Sequence, residues 1–187
     1  MREPSSGLGG QTSPAAARRR GAQGSHAGYR SVLHRADGVQ VELDGGAYNR
    51  LGERELPHDI AHLIVEDELG LDRGIWAVLA AGGLFRGASV VAGRQRPHAA
   101  RRGREVVAAA VEQLNQAEML TRAVCDLAGG GTADLHALRA RTGERWWSET
   151  ASKAALVRAF GRLDEAAGAW ARLGAGGTLR FEWTPPA

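Results

Sequence analysis

The chain has 187 residues, 43% of them hydrophobic, and a formal net charge of +3. This length supports one packed core and leaves little room for a second. Four of the 24 basic residues but only one of the 21 acidic residues lie in 1–27, so the rest of the chain is neutral. The charge pattern therefore does not favour nucleic acid as a partner, although a net basic chain is often taken to indicate one.

The domain organisation follows from the same segment. Residues 1–27 are rich in Gly, Ser and Ala and contain an arginine triplet but almost no large apolar side chains. Such a segment cannot bury enough surface to offset the loss of chain entropy. We therefore predict a disordered basic tail over 1–27 and a single α+β domain over 28–187.

The cysteine content and the hydropathy of the chain indicate where in the cell the protein is located. Cys125 is the only cysteine, so no internal disulfide and no cysteine-based zinc finger can form. The longest apolar run, Ile75 to Phe85, is about half of the ~20 residues that a helix needs to cross a bilayer. We expect a cytoplasmic protein with no membrane partner; a protein partner is compatible with the sequence.

Alternation of apolar and polar residues marks the strands. Residues 29–35 and 39–43 flank an Ala-Asp-Gly turn and predict a β-hairpin. Residues 178–183 alternate in the same way. Because a lone strand needs a partner, we expect this C-terminal strand to join the hairpin in an antiparallel sheet of about three strands.

Helical periodicity accounts for most of the remaining chain. It predicts four or five helices covering the sheet, over 57–69, 73–85, 105–127, 132–140 and 150–173. The first begins at Pro57 and ends at Gly70. Gly82-Gly83 indicates either a break in the second helix or a point of close packing. The expected fold is a helix-rich α+β domain.

One stretch carries the most chemistry. His58 and His62 are four residues apart on the first predicted helix, and Glu66 follows after another four. This spacing places the three side chains on one stripe. Two histidines and a carboxylate form a standard ligand set for zinc or another divalent transition metal, with positions left open for water. His58, His62 and Glu66 are therefore the candidate metal ligands.

The pattern of His58, Asp59 and His62 resembles the H-E-x-x-H motif of zincin metallopeptidases. Asp59 occupies the position of that family's general-base glutamate, which makes Asp59 the candidate catalytic residue. Its carboxylate is one methylene shorter, so the resemblance implies metal binding more than peptidase activity. The H-D-x-x-H pattern is also similar to that of ubiquinone-biosynthesis scaffold proteins, but their third ligand, a glutamate, is replaced here by Gly74.

Two interpretations of this helix stay open. In the first, the stripe is structural: His62 is a core histidine, Asp59 lies in the first turn because the helix dipole favours an acidic residue there, and the biochemical function is unknown. In the second, the protein is a metal-dependent hydrolase-like enzyme with an H-D-x-x-H-x-x-x-E site. Polar residues 48–50 precede the helix, and chain order indicates that they converge on its start.

A third hypothesis concerns the basic segment 94–104. It contains several arginines before the first acidic residue, Glu105, and could bind phosphates or an acidic partner together with the tail. The simpler interpretation is an exposed loop in an arginine-rich chain. It contains no aromatic side chains on which bases could stack.

Overall fold

The computed structural model describes the backbone of residues 13–19 and both backbone and side chains of residues 28–183. In these residues the fold is α+β, as predicted. The strands are β1 (Ser13–Arg19), β2 (Tyr29–His34), β3 (Gln40–Gly45), β4 (Tyr48–Leu51), β5 (Arg54–Pro57), β6 (Ala88–Ala92) and β7 (Thr178–Trp183). The α-helices are α1 (His58–Leu69), α2 (Ile75–Ala80), α3 (Ala99–Ala109), α4 (Val111–Gly130), α5 (Leu135–Thr142) and α6 (Lys153–Arg172).

The main sheet is antiparallel and has the order β6-β3-β2-β1-β7. The predicted hairpin is confirmed as β2 and β3, which pair from Tyr29 opposite Gly45 to His34 opposite Gln40. The C-terminal strand β7 is also confirmed, but it pairs with β1 rather than with the hairpin. The sheet therefore has five strands in the described residues instead of about three.

Strand β1 lies within the segment for which the sequence predicts disorder. Its backbone pairs with β2 on one side and β7 on the other. Because both neighbours supply ladder hydrogen bonds, the strand does not depend on a large apolar face of its own. The other residues of the proposed tail lie outside the described residues.

Helix α1 has the predicted limits. It follows Pro57 directly and ends at Gly70, whose φ of 64° is in the left-handed region that glycine adopts readily. Most of the helix is buried, and it packs against both α4 and α6. The histidine-bearing helix is therefore central to the domain.

Two other helices differ from their predicted limits. The second ends at Ala80 because Gly82, with φ of 98°, turns the chain, so the glycine pair marks a break. The long helix predicted from 105 begins earlier and is interrupted at Ala110, which has φ of −107° and ψ of 6°. The interruption separates α3, which contacts the Gly82 turn, from α4, which packs along α1.

A second, two-stranded sheet was not predicted. Strands β4 and β5 form a short hairpin that leads directly into α1 and packs against α4 and α6. The turn between its strands touches α4 where Gly52 meets Gly129. This contact fixes the hairpin, and with it the residues that precede α1, relative to α4.

We expect Gly129→Ala to destabilise the protein. A Cβ atom at this position would lie 2.5 Å from the backbone nitrogen of Gly52, so the free energy of unfolding should fall by about 1–3 kcal/mol. Gly161→Ala is the matched control, since a Cβ there enters open space on the exposed face of α6 and should add about 0.5–1 kcal/mol. Urea unfolding measures both, and equal effects of the two substitutions would contradict the close contact.

Candidate metal centre

His58 and His62 occupy successive turns at the beginning of α1, with ring centroids 4.5 Å apart. The His62 side chain is fully buried, whereas the His58 side chain is 23% exposed. The helix thus presents one imidazole in the core and the other toward solvent.

Glu118, on α4, meets both imidazoles. Its Oε2 atom lies 3.1 Å from Nε2 of His62 and 3.3 Å from Nε2 of His58. Within the described residues, one ligand atom from each of these three side chains lies within 4.8 Å of the others, an arrangement that could hold a metal ion. The cluster joins α1 to α4.

The second nitrogen of each imidazole faces a protein acceptor. Nδ1 of His62 lies 3.0 Å from Oε1 of Glu66, and Nδ1 of His58 lies 3.4 Å from Oδ1 of Asn49 on β4. With an N–H at Nδ1 donating to each oxygen, a neutral ring would have its Nε2 lone pair available to a metal, whereas in the absence of a metal a protonated Nε2 donates to Glu118. Outer partners of this kind orient metal-binding histidines in proteins.

Glu118 is oriented in a similar way. Its other oxygen, Oε1, accepts a hydrogen bond from Nη2 of Arg122 at 3.1 Å, one turn further along α4. Oε2 is therefore the oxygen that remains directed at the two imidazoles. All three side chains of the cluster are held by a neighbour outside it.

Glu66, the third ligand expected from the sequence, faces the opposite nitrogen of His62. It is 2% exposed, and its two oxygens accept the backbone N–H groups of Ile75 at 2.8 Å and Trp76 at 3.2 Å. These donors form the first turn of α2, whose unpaired amides need an acceptor. Gly74 is adjacent, and any Cβ there would collide with the carboxylate. The structure thus groups the histidines with Glu118 rather than Glu66.

Asp59 lines a cleft of about 560 Å³ together with His58 and Glu118. Burial raises the pKa of Asp59, although Ser31 and the two histidines act in the opposite direction. Its Oδ2 atom is buried without a hydrogen-bond partner among residues 28–183. Asp59, the catalytic residue expected from the sequence, therefore lies beside the cluster and lines the same cleft.

The walls of the cleft are mostly apolar. They include Leu43, Ile75, Phe85 and Leu114. Tyr29 closes one side, and its hydroxyl donates to the carbonyl oxygen of Ala47 at 2.8 Å. An apolar cleft with a few convergent polar groups is the usual form of a small-molecule site.

The electrostatics of the cluster favour a cation. Burial by itself lowers the pKa of His62, but hydrogen bonds to Glu118 and Glu66 outweigh it and raise the pKa to about 9. Hydrogen bonds from His58 and His62 hold the pKa of Glu118 well below its usual value. Without a metal, a proton on His62 serves as the positive charge between the two carboxylates.

No protein-family model matches the chain, and no curated protein or solved structure matches it significantly. In the part of the chain that the structure describes, no helix is long and apolar enough to cross a membrane.

Cys125 is buried, and burial raises its pKa to about 12, so a reactive thiolate is not favoured. The cluster and its cleft are therefore the features of the described residues that point to a function.

Glu118 was missed at the sequence level because it is distant from the histidines along the chain. One signal was available: Glu118 lies on the same helical stripe as Leu114, Thr121 and Cys125, where a charged side chain needs a partner. Asn49, by contrast, lies in the polar segment expected to converge on the start of α1, and it contacts His58.

We expect Glu66→Ala to lower the free energy of unfolding by about 3–5 kcal/mol. The substitution removes the acceptor of two amides of α2 and leaves Nδ1 of His62 with only the longer contact, 3.4 Å, to the hydroxyl oxygen of Thr121. Asp67→Ala is the control, because it removes a neighbouring but exposed carboxylate that pairs with Arg162 at the surface and should cost less than about 1 kcal/mol. Urea unfolding of both variants tests this, and similar losses would refute a structural role specific to Glu66.

Proposed function

We propose that the protein binds a divalent transition metal through Nε2 of His58, Nε2 of His62 and Oε2 of Glu118. The observation that carries the proposal is the convergence of these atoms, at 3.1 and 3.3 Å from the carboxylate oxygen, while the other nitrogen of each ring faces an acceptor. Zinc ligands at 2.0–2.2 Å in a tetrahedral arrangement lie about 3.3 Å apart. Both distances from the carboxylate oxygen to the imidazole nitrogens are close to this spacing.

The donor set narrows the choice of metal. Two imidazole nitrogens and one carboxylate oxygen suit zinc, and also iron(II) or manganese(II), whereas magnesium and calcium prefer oxygen ligands alone. Glu118 replaces Glu66 in the ligand set suggested by the sequence, since the oxygens of Glu66 accept the amides of α2.

The position of the cluster supports a catalytic rather than a purely structural metal. His62 is fully buried, but the side chains of His58 and Glu118 are 23% and 37% exposed and line the cleft. Three protein ligands with an open position toward a cleft are typical of catalytic zinc sites, whereas structural sites have four.

The reaction class that fits these residues best is hydrolysis. A bound metal would supply a Lewis acid and a water of lowered pKa. Asp59 is the proton acceptor beside it, because burial raises its pKa and so strengthens it as a base. The apolar walls would hold the substrate and exclude bulk water. We therefore propose a metal-dependent hydrolase-like function.

Metal binding is tested first. Untagged protein is expected to hold about one zinc, iron or manganese ion per chain by elemental analysis. Glu118→Gln keeps the shape of the side chain but loses the charge, and it should weaken zinc binding at least tenfold in competition with a chelator. His136→Gln, an exposed histidine on α5, is the matched control and should bind as the wild type does.

The same measurements separate the metal site from a structural cluster. If neither protein holds metal and zinc does not change the melting temperature of the wild type, the cluster is an ion-pair network and the proposal is wrong. Circular dichroism of Glu118→Gln verifies that lost metal binding does not reflect unfolding.

The role of Asp59 needs a separate variant. We expect Asp59→Asn to retain the bound metal within about twofold but to lower the rate of hydrolysis by about 10²–10⁴-fold. The measurement is a screen of zinc-, manganese- and iron-loaded protein against chromogenic carboxylic and phosphoric esters, followed by kcat for the best substrate. Unchanged kcat in Asp59→Asn would exclude it as the base, whereas lost metal would make it part of the metal site.

A further inference from the structure

A second pocket lies apart from the cleft and shares none of its lining residues. It has a volume of about 60 Å³ and is bounded by the β2–β3 turn, the Gly82 turn and the beginning of α3. A water needs about 10–15 Å³ of such space, so the pocket has room for several waters or for one small polyatomic ion.

The charged side chains around this pocket are mainly cationic. Arg35, Arg96 and Arg102 line it together with a single carboxylate, Asp37. Asp37 pairs with Nη2 of Arg35 at 2.7 Å. Two guanidinium charges are therefore left without a counter-ion among the lining residues, and guanidinium groups bind oxyanions in a bidentate manner.

Part of this hydrogen-bonding capacity is unused. Among residues 28–183, Nε of Arg35 is buried without an acceptor, which costs free energy unless a ligand or water supplies one. Arg102 donates from Nη1 to the carbonyl oxygen of Pro97 at 2.6 Å, which fixes its guanidinium but leaves most of its N–H groups available. An anion in the pocket would satisfy both side chains.

The backbone around the pocket is held in place by two glycine contacts. A Cβ at Gly103 would lie 2.6 Å from the carbonyl oxygen of Gly82, so α3 approaches this turn closely just after Arg102. A Cβ at Gly93 would collide with the backbone at Gly38, which fastens the segment before Arg96 to the β2–β3 turn. The arginines are thus brought together by packed backbone rather than by a free loop.

The beginning of α3 adds to the positive potential. Ala99, its first residue, lines the pocket, and in the part of the chain that the structure describes no side chain caps the helix; its first turn contains no acidic residue. The N-terminal end of a helix favours an anion. The helix end and the arginines therefore act on the same space.

We propose that this pocket binds a phosphate-like oxyanion, either inorganic phosphate or the terminal phosphate of a small molecule. Its size admits one such group, and the lining supplies guanidinium donors from two separate parts of the chain, Arg35 next to the β2–β3 turn and Arg96 and Arg102 in the segment 94–104. The site is independent of the proposed metal centre. The basic segment 94–104 thus contributes two specific arginines rather than a diffuse positive charge.

The experiment measures the binding of sodium phosphate to full-length, chelator-treated protein by calorimetry, at constant ionic strength. We expect saturable 1:1 binding that the double variant R96Q/R102Q weakens at least tenfold. The matched control R94Q/R101Q removes two charges from the same segment without changing a lining residue, and should stay within twofold of the wild type. All four side chains are exposed, and circular dichroism confirms that both variants are folded.

Each outcome is informative about the pocket. If glycerol phosphate binds as tightly as inorganic phosphate, the ligand is identified as a phosphate monoester. If glycerol phosphate binds more weakly than inorganic phosphate, the ligand is identified as the free ion. Absence of saturable binding to either compound overturns the proposal. Equal weakening in the two double variants also overturns it, since the binding would then follow net charge. Binding of a DNA oligonucleotide alone would replace it with a nucleic-acid surface.

Discussion

The carboxylate of Glu66 connects the core of the protein to its candidate site. It accepts the first amides of α2 and the Nδ1–H of His62, so one buried group fixes a helix start and an imidazole orientation together. A charge in the core is tolerated only when its hydrogen bonds are satisfied. Gly74 leaves the space that this arrangement needs. The packing of α2 and the direction of His62 therefore depend on each other.

The cluster is also held together by side chains from elements that are far apart in the sequence. The β4–β5 hairpin supplies Asn49 to His58, and α4 supplies both Glu118 and the arginine that holds it. The hairpin is itself fastened to α4 through Gly129. Because each group is positioned by a different contact, the geometry of the site requires the whole domain to be folded.

Local periodicity was sufficient to predict α1, the β2–β3 hairpin, β7 and the positions of both histidines. It could not supply Glu118, because the partner of a buried side chain depends on how distant helices pack. It also missed the β4–β5 hairpin, whose strands have four residues each, too short for a clear alternation. Strand β1 shows the same limit, since its pairing comes from neighbours on both sides rather than from its own composition.

The pairing of β1 with β7 also affects how the protein folds during synthesis. Residues 13–19 and 178–183 are joined in one ladder, so one of the longest loops in the chain must close before the sheet is complete. Until the ribosome has released 178–183, one edge of β1 has no partner in the main sheet. Open strand edges recruit other chains. The main sheet is thus expected to be completed only after residues 178–183 have been synthesised, whereas the β2–β3 hairpin can form much earlier.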